Sequence, residues 1–170
     1  MRLIGLMAIL LACVSIAQSP EYTVAVEVKG LHCQGCVEPL EAGLKQVAGV
    51  KSVRLDFRTG IAQVKFAEER ATVSELVNHV AQIPHMSKSM KYSGALLLRI
   101  EGKSDKVQKA LRAIQGVQKV EPRERTVLRL TFKSDAKVRY AQIQKAVADA
   151  GAKLLPWNES DKGSHAGHSH

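Results

Sequence analysis

The chain has 170 residues, 25 Lys/Arg against 16 Asp/Glu, and a net charge of +9. Its few aromatics (one Trp, three Tyr, three Phe) do not interleave with the basic residues, which argues against a nucleic-acid surface. No Ser/His/Asp set, glycine-rich phosphate loop or paired-carboxylate grouping stands out, so no enzyme is expected.

Residues 1–17 read as a secretion signal: Arg2, an apolar run from Leu3 to Val14, then Ser15-Ile16-Ala17 with small residues at both cleavage positions. The run is too short to span a bilayer as a helix. The expected location is therefore secreted or periplasmic. Leu10-Leu11-Ala12-Cys13 resembles a lipobox, so the alternative is a lipoprotein anchored at Cys13, the one route to a membrane. Next, Tyr22–Val28 alternates apolar and polar residues as a half-buried strand does, and Val37, Leu40, Leu44 and Val47 form a helical stripe. Between them stand Cys33 and Cys36, on a loop and a first helical turn where free N–H groups and the helix dipole favour thiolate. Two such thiolates form a soft clamp of the kind that selects Cu(I) or Zn(II). A thiol–disulfide redox pair at a strand-to-helix turn is the competing reading.

Strands follow at Ser52–Phe57 and Ile61–Phe66, then a helix opened by the capping box Thr72-x-x-Glu75. A further strand is expected around Ser87–Tyr92, with the junction at Ser93-Gly94. The second half repeats the first. Val24–Gly30 aligns with Leu96–Gly102, Gly49-Val50 with Gly116-Val117, Phe66 with Phe132, and Leu76 with Ile143. A helix should start at Ser104, another should run from about Asp135 to Asp149, and Lys153–Trp157 should close the sheet. Both copies thus read strand–helix–strand–strand–helix–strand. The expected fold class is α+β: two tandem ferredoxin-like βαββαβ domains, 18–93 and 94–157. The second copy has Lys103-Ser104-Asp105 where the first has its cysteines, so it should bind no soft metal.

Gly30, Cys33, Cys36, Gly49-Val50 and the strands and helix around them resemble the heavy-metal-associated domains of soft-metal chaperones and metal-pumping ATPases, over about residues 22–90. Leu31 stands where that family usually has Met, a residue buried under the loop. The resemblance implies metal binding at Cys33 and Cys36. His32 inclines it to Cu(I), with the imidazole itself expected to face solvent. It also implies a possible extra ligand at His85, with Met86 beside it. Hg(II) scavenging is the nearest variant, because periplasmic mercuric-ion-binding proteins share the layout, and Zn(II) is a further option.

Charge is uneven. Residues 18–93 carry nine Lys/Arg against eight Asp/Glu, whereas 94–157 carry fourteen against six. The second half is therefore the expected docking face for a metal-accepting partner. The tail, 158–170, ends in His165, His168 and His170, a tract suited to weak binding of Cu(II), Ni(II) or Zn(II) through imidazole.

Overall fold

The computed structural model describes residues 20–87 and 89–157. Residues 1–17, expected to be a secretion signal and holding Cys13, and the tail, with His165, His168 and His170, lie outside the described residues. Among the described residues seven strands and four α-helices follow one another as β1 (Glu21–Lys29), α1 (Val37–Lys45), β2 (Val50–Asp56), β3 (Ile61–Ala67), α2 (Val73–His79), β4 (Ser93–Glu101), α3 (Ser104–Arg112), β5 (Val117–Glu124), β6 (Val127–Phe132), α4 (Tyr140–Asp149) and β7 (Lys153–Leu155). The class is α+β as expected, and the order falls one strand short of two separate βαββαβ units, so that each half completes the pattern only by sharing β4.

The two units share one sheet, in the order β2-β3-β1-β4-β6-β5. The strand expected at Ser87–Tyr92 does not form. Its place beside β1 is taken by β4, whose residues Ser93–Leu97 pair with Lys29–Ala25. The same strand opens the second unit, pairing Leu96–Arg99 with Leu130–Val127 of β6. Arg99 also pairs with Leu155, so β7 lies on the same edge of β4 as β1, against the end that β1 leaves uncovered. The expected junction at Ser93-Gly94 is thus the start of the strand that joins the units.

Alternation decides which face is covered. Val24, Val26 and Val28 of β1 and Leu96, Leu98 and Ile100 of β4 face one continuous core with Leu40, Leu44, Val73, Leu76, Leu111, Ile143 and Val147 from the four helices. The opposite face carries a smaller cluster, Ala25, Ile61, Leu97 and Val127, beside Trp157. There Glu27, buried, receives Arg129 Nε at 2.6 Å and Arg123 Nε at 3.5 Å, so its charge is paired across the junction. Gly94 lets α2 settle on β4, since a Cβ there would stand 2.4 Å from the Val77 carbonyl.

A second latch ties α2 to the loop before α4. The Ser74 hydroxyl donates to the Ala136 carbonyl at 2.8 Å and accepts the Val138 N–H at 2.9 Å. Asn78 Nδ2 donates to the Lys133 carbonyl at 2.8 Å, and Lys137 pairs with Glu75. Glu68 accepts the Tyr140 and Ala141 N–H groups, capping α4 from the other unit. These contacts hold 133–139 outside a helix, which is why α4 starts at Tyr140 rather than near Asp135. The Thr72–Glu75 capping box forms as expected. Ser104 is the first helical residue of α3 rather than its cap, and β7 stops at Leu155.

Candidate metal centre

At the end of β1 the chain turns through Gly30, whose φ of +96° only glycine adopts easily and where a Cβ would stand 2.7 Å from the Lys91 carbonyl. Leu31, half-buried, packs on the core in the role expected of it. A single 3-10 turn, Gln34–Cys36, then leads into α1, with the Cys36 N–H donating to the Cys33 carbonyl at 3.1 Å. The turn places the two thiols side by side, Sγ to Sγ 3.4 Å. A disulfide would need about 2.05 Å, so these are free thiols, Cys36 buried and Cys33 half-exposed.

Cys36 is held acidic, its pKa brought from 9.0 down to about 6. The hydroxyl of Tyr92 is the largest cause, followed among the lowering influences by the Cys33 thiol and backbone groups of the loop; burial works the other way. Tyr92 is itself fully buried, and its hydroxyl has no partner of good hydrogen-bond geometry among the described residues. A buried O–H without a partner is costly, about 1–3 kcal/mol. Next to a thiol it becomes a donor held ready for the thiolate. Burial, and then the Cys36 sulfur, push the Tyr92 hydroxyl well above its ordinary pKa, so it stays a donor. Sequence reasoning missed Tyr92. Its only signal was an aromatic residue just before a strand.

The loop after α2 supplies the rest. His85 stacks between His32, with centroids 5.0 Å apart at 29°, and Tyr92, at 4.4 Å and 47°. His32 stays solvent-exposed, as expected, and its Nδ1 also stands 3.6 Å from Cys36 Sγ. The ligand atoms of His32, Cys36 and His85 all lie within 4.8 Å of one another. Both nitrogens of His85 are already engaged, however. Nδ1 accepts the Ser87 N–H at 2.9 Å, which leaves the proton on Nε2, and Nε2 donates to the Gly30 carbonyl at 3.1 Å. His85 therefore staples the second loop to the start of the cysteine loop. Of the six residues expected to hold metal, the structure brings Cys33, Cys36 and His85 together. The three tail histidines lie outside the described residues.

Metal–sulfur bonds of about 2.3 Å on sulfurs 3.4 Å apart subtend an angle of about 95°. Opening the pair by about 1.2 Å would make S–metal–S straight. That is a small motion for a half-exposed Cys33, so the donor set fits a low-coordinate soft ion as cargo.

Among the described residues no helix is long and apolar enough to cross a membrane. The family model described as the heavy-metal-associated domain matches residues 25–85. The mercuric transport protein periplasmic component of Shewanella putrefaciens is 32% identical over 76 residues, 45% of this chain and 84% of that protein. A Synechococcus protein named "Probable copper-transporting ATPase SynA" is 38% identical over 55 residues, 32% of this chain but only 7% of the ATPase, so this chain spans a small part of that relative. Among solved structures, oxidized MerP from Ralstonia metallidurans is 25% identical, covering 45% of this chain and 97% of its own at a TM-score of 0.40. The matched segment contains the whole cysteine loop and both helices that frame it, and the chain belongs to the heavy-metal-associated domain family.

Proposed function

We propose that the protein captures a soft metal ion, Cu(I) foremost, between Cys33 and Cys36 outside the cytoplasm and passes it to a metal-transporting partner. The observation that carries this reading is the sulfur pair: 3.4 Å apart, one sulfur buried and acidic, the other half-exposed. A Cys36 already ionised near neutral pH takes up metal without first losing a proton. The exposed side at Cys33 admits a partner's thiolate, which joins the metal in a three-sulfur intermediate before Cys33 and Cys36 let go. His85 would enter the coordination sphere only by releasing Gly30 or Ser87.

Copper is favoured by His32 against the sulfur and by the ATPase relative named for copper transport. Hg(II) is the second reading, supported by the relative named for mercuric transport in the periplasm. That relative also supports an extracytoplasmic location, in line with the signal-like residues 1–17. The metal unit, residues 18–93, borrows β4 from a cysteine-free second unit, 94–157, whose surplus of Lys/Arg would steer an acidic partner into place.

The test is anaerobic titration of the reduced chain with Cu(I) against a chromophoric chelator. One equivalent should bind tightly, and Cys33→Ser or Cys36→Ser should each cost at least a hundredfold in affinity. Unchanged affinity in both variants removes the clamp. A pair that cycles to a disulfide and back at full rate without any metal would favour the redox reading.

A further inference from the structure

Four methionines are present, Met1, Met7, Met86 and Met90. The last two are the only exposed large apolar side chains among the described residues, 65% and 42% accessible. Every other large apolar side chain described is at least partly covered, so two exposed thioethers on one loop call for a reason. Their loop is the one stapled across the cysteines by His85.

Gly35 shows how close Met86 comes. A Cβ built there would sit 3.8 Å from Cys33 Sγ and 4.0 Å from Met86 Sδ. Both sulfurs therefore lie beside the one position of the Cys-x-x-Cys loop that has no side chain, less than about 8 Å apart. Met has an unbranched side chain with three rotatable bonds and a polarizable sulfur. From an exposed position it covers the remaining distance by changing rotamer. The nitrogens cannot do this as easily. His85 has both of its own engaged, and His32 is turned toward Cys36.

We propose that Met86 is a third, exchangeable sulfur ligand at the rim of the clamp, closing over a soft monovalent cation, Cu(I) or Ag(I), once Cys33 and Cys36 hold it. This rests on the clamp reading above and extends it. A thioether is neutral and soft, so it donates to a monovalent thiophilic ion without displacing a proton and does little for Zn(II). Being uncharged, it yields readily to an incoming thiolate. Met86 thus slows adventitious loss of the ion and leaves transfer to a thiol partner open.

The experiment compares the full reduced chain with Met86→Leu and Met90→Leu, using Cu(I) with a chromophoric chelator and, separately, Zn(II). Leu keeps the volume and apolar character of an exposed side chain, so the fold is undisturbed. Met86→Leu should weaken Cu(I) binding five- to tenfold and speed its loss to the chelator by a similar factor. Zn(II) affinity in that variant, and Cu(I) affinity in Met90→Leu, should not change. In selenomethionine-labelled protein loaded with Cu(I), selenium-edge absorption should show a copper neighbour that Met86→Leu abolishes. The thioether assignment is overturned if Met86→Leu leaves Cu(I) binding unchanged, if it weakens Cu(I) and Zn(II) alike, or if selenium sees no copper. Failure of the clamp itself registers elsewhere, as undiminished Cu(I) binding in Cys33→Ser, and takes this proposal with it.

Discussion

Ser74 is fully buried in the first turn of α2, and besides a contact to the Thr72 hydroxyl at 3.2 Å it makes two hydrogen bonds that cross to the second unit. Ser74→Ala removes the oxygen and leaves the Ala136 carbonyl and the Val138 N–H without their partner. A buried backbone group stripped of its hydrogen bond costs about 1–3 kcal/mol. Ala136 and Val138 are both buried, 7% and 1% exposed, so water does not readily replace either hydrogen bond. The expected loss is therefore about 2–4 kcal/mol, a large share of the roughly 5–15 kcal/mol that holds a domain together. Urea unfolding followed by far-UV circular dichroism and by Trp157 fluorescence gives the number. Trp157, the only tryptophan, packs beside Ala25 of β1 and so reports on the junction. Both probes should trace one transition in the parent chain, shifted to lower urea at unchanged slope in the variant. A change below about 0.5 kcal/mol, or two separate transitions in the parent, would refute the latch as a structural link.

Tyr92→Phe should raise the Cys36 pKa from about 6 toward its ordinary value, since it deletes the largest acidifying influence; thiolate absorbance near 240 nm against pH measures it, and an unmoved midpoint would sink the assignment. Because the native pKa lies below that of an unfolded thiol, about 8.5, the metal-free parent should gain stability as pH rises from 6 to 8.5 and lose it as pH falls through 6, a slope that Tyr92→Phe flattens. A chain truncated after Tyr92 should fail to fold, while one extended through Glu101 should keep α1, α2 and the cysteine loop assembled. Cooperative unfolding of the shorter chain would contradict the shared strand.

The repeat was legible because turns and apolar stripes recur at matching intervals, with Gly49-Val50 and Gly116-Val117 as the clearest pair. The cysteine loop was legible for the same reason, since its position between a period-two and a period-3.6 pattern fixes it at a strand-to-helix turn. The shared strand was not. Ala95–Leu98 is a continuous apolar run, the signature of a strand buried on both faces, yet such a run does not say how many neighbours it pairs with. Tyr92, Ser74 and the approach of His32 Nδ1 to Cys36 escaped for another reason. Each depends on a contact between segments far apart in sequence, or on a rotamer, and no local periodicity encodes either.

The position of β4 also explains why the second loop can reach over the cysteines at all. The segment from Pro84 to Tyr92 runs between α2 and β4, and the second unit fixes both ends. Ser74, Glu75 and Asn78 latch α2 to residues 133–138, and β6 and β7 hold the far side of β4 and its C-terminal end. A fourth strand belonging to the first unit alone would have had only β1 to pair with, leaving the anchor of this loop at the edge of a sheet. In the fused sheet that anchor is a central strand with neighbours on both sides. The cysteine-free unit therefore bears on the metal site through geometry, by setting where His85, Met86 and Tyr92 stand relative to Cys33 and Cys36. A substitution more than sixty residues away in sequence, at the 133–138 loop, would act on the clamp through α2 and this segment.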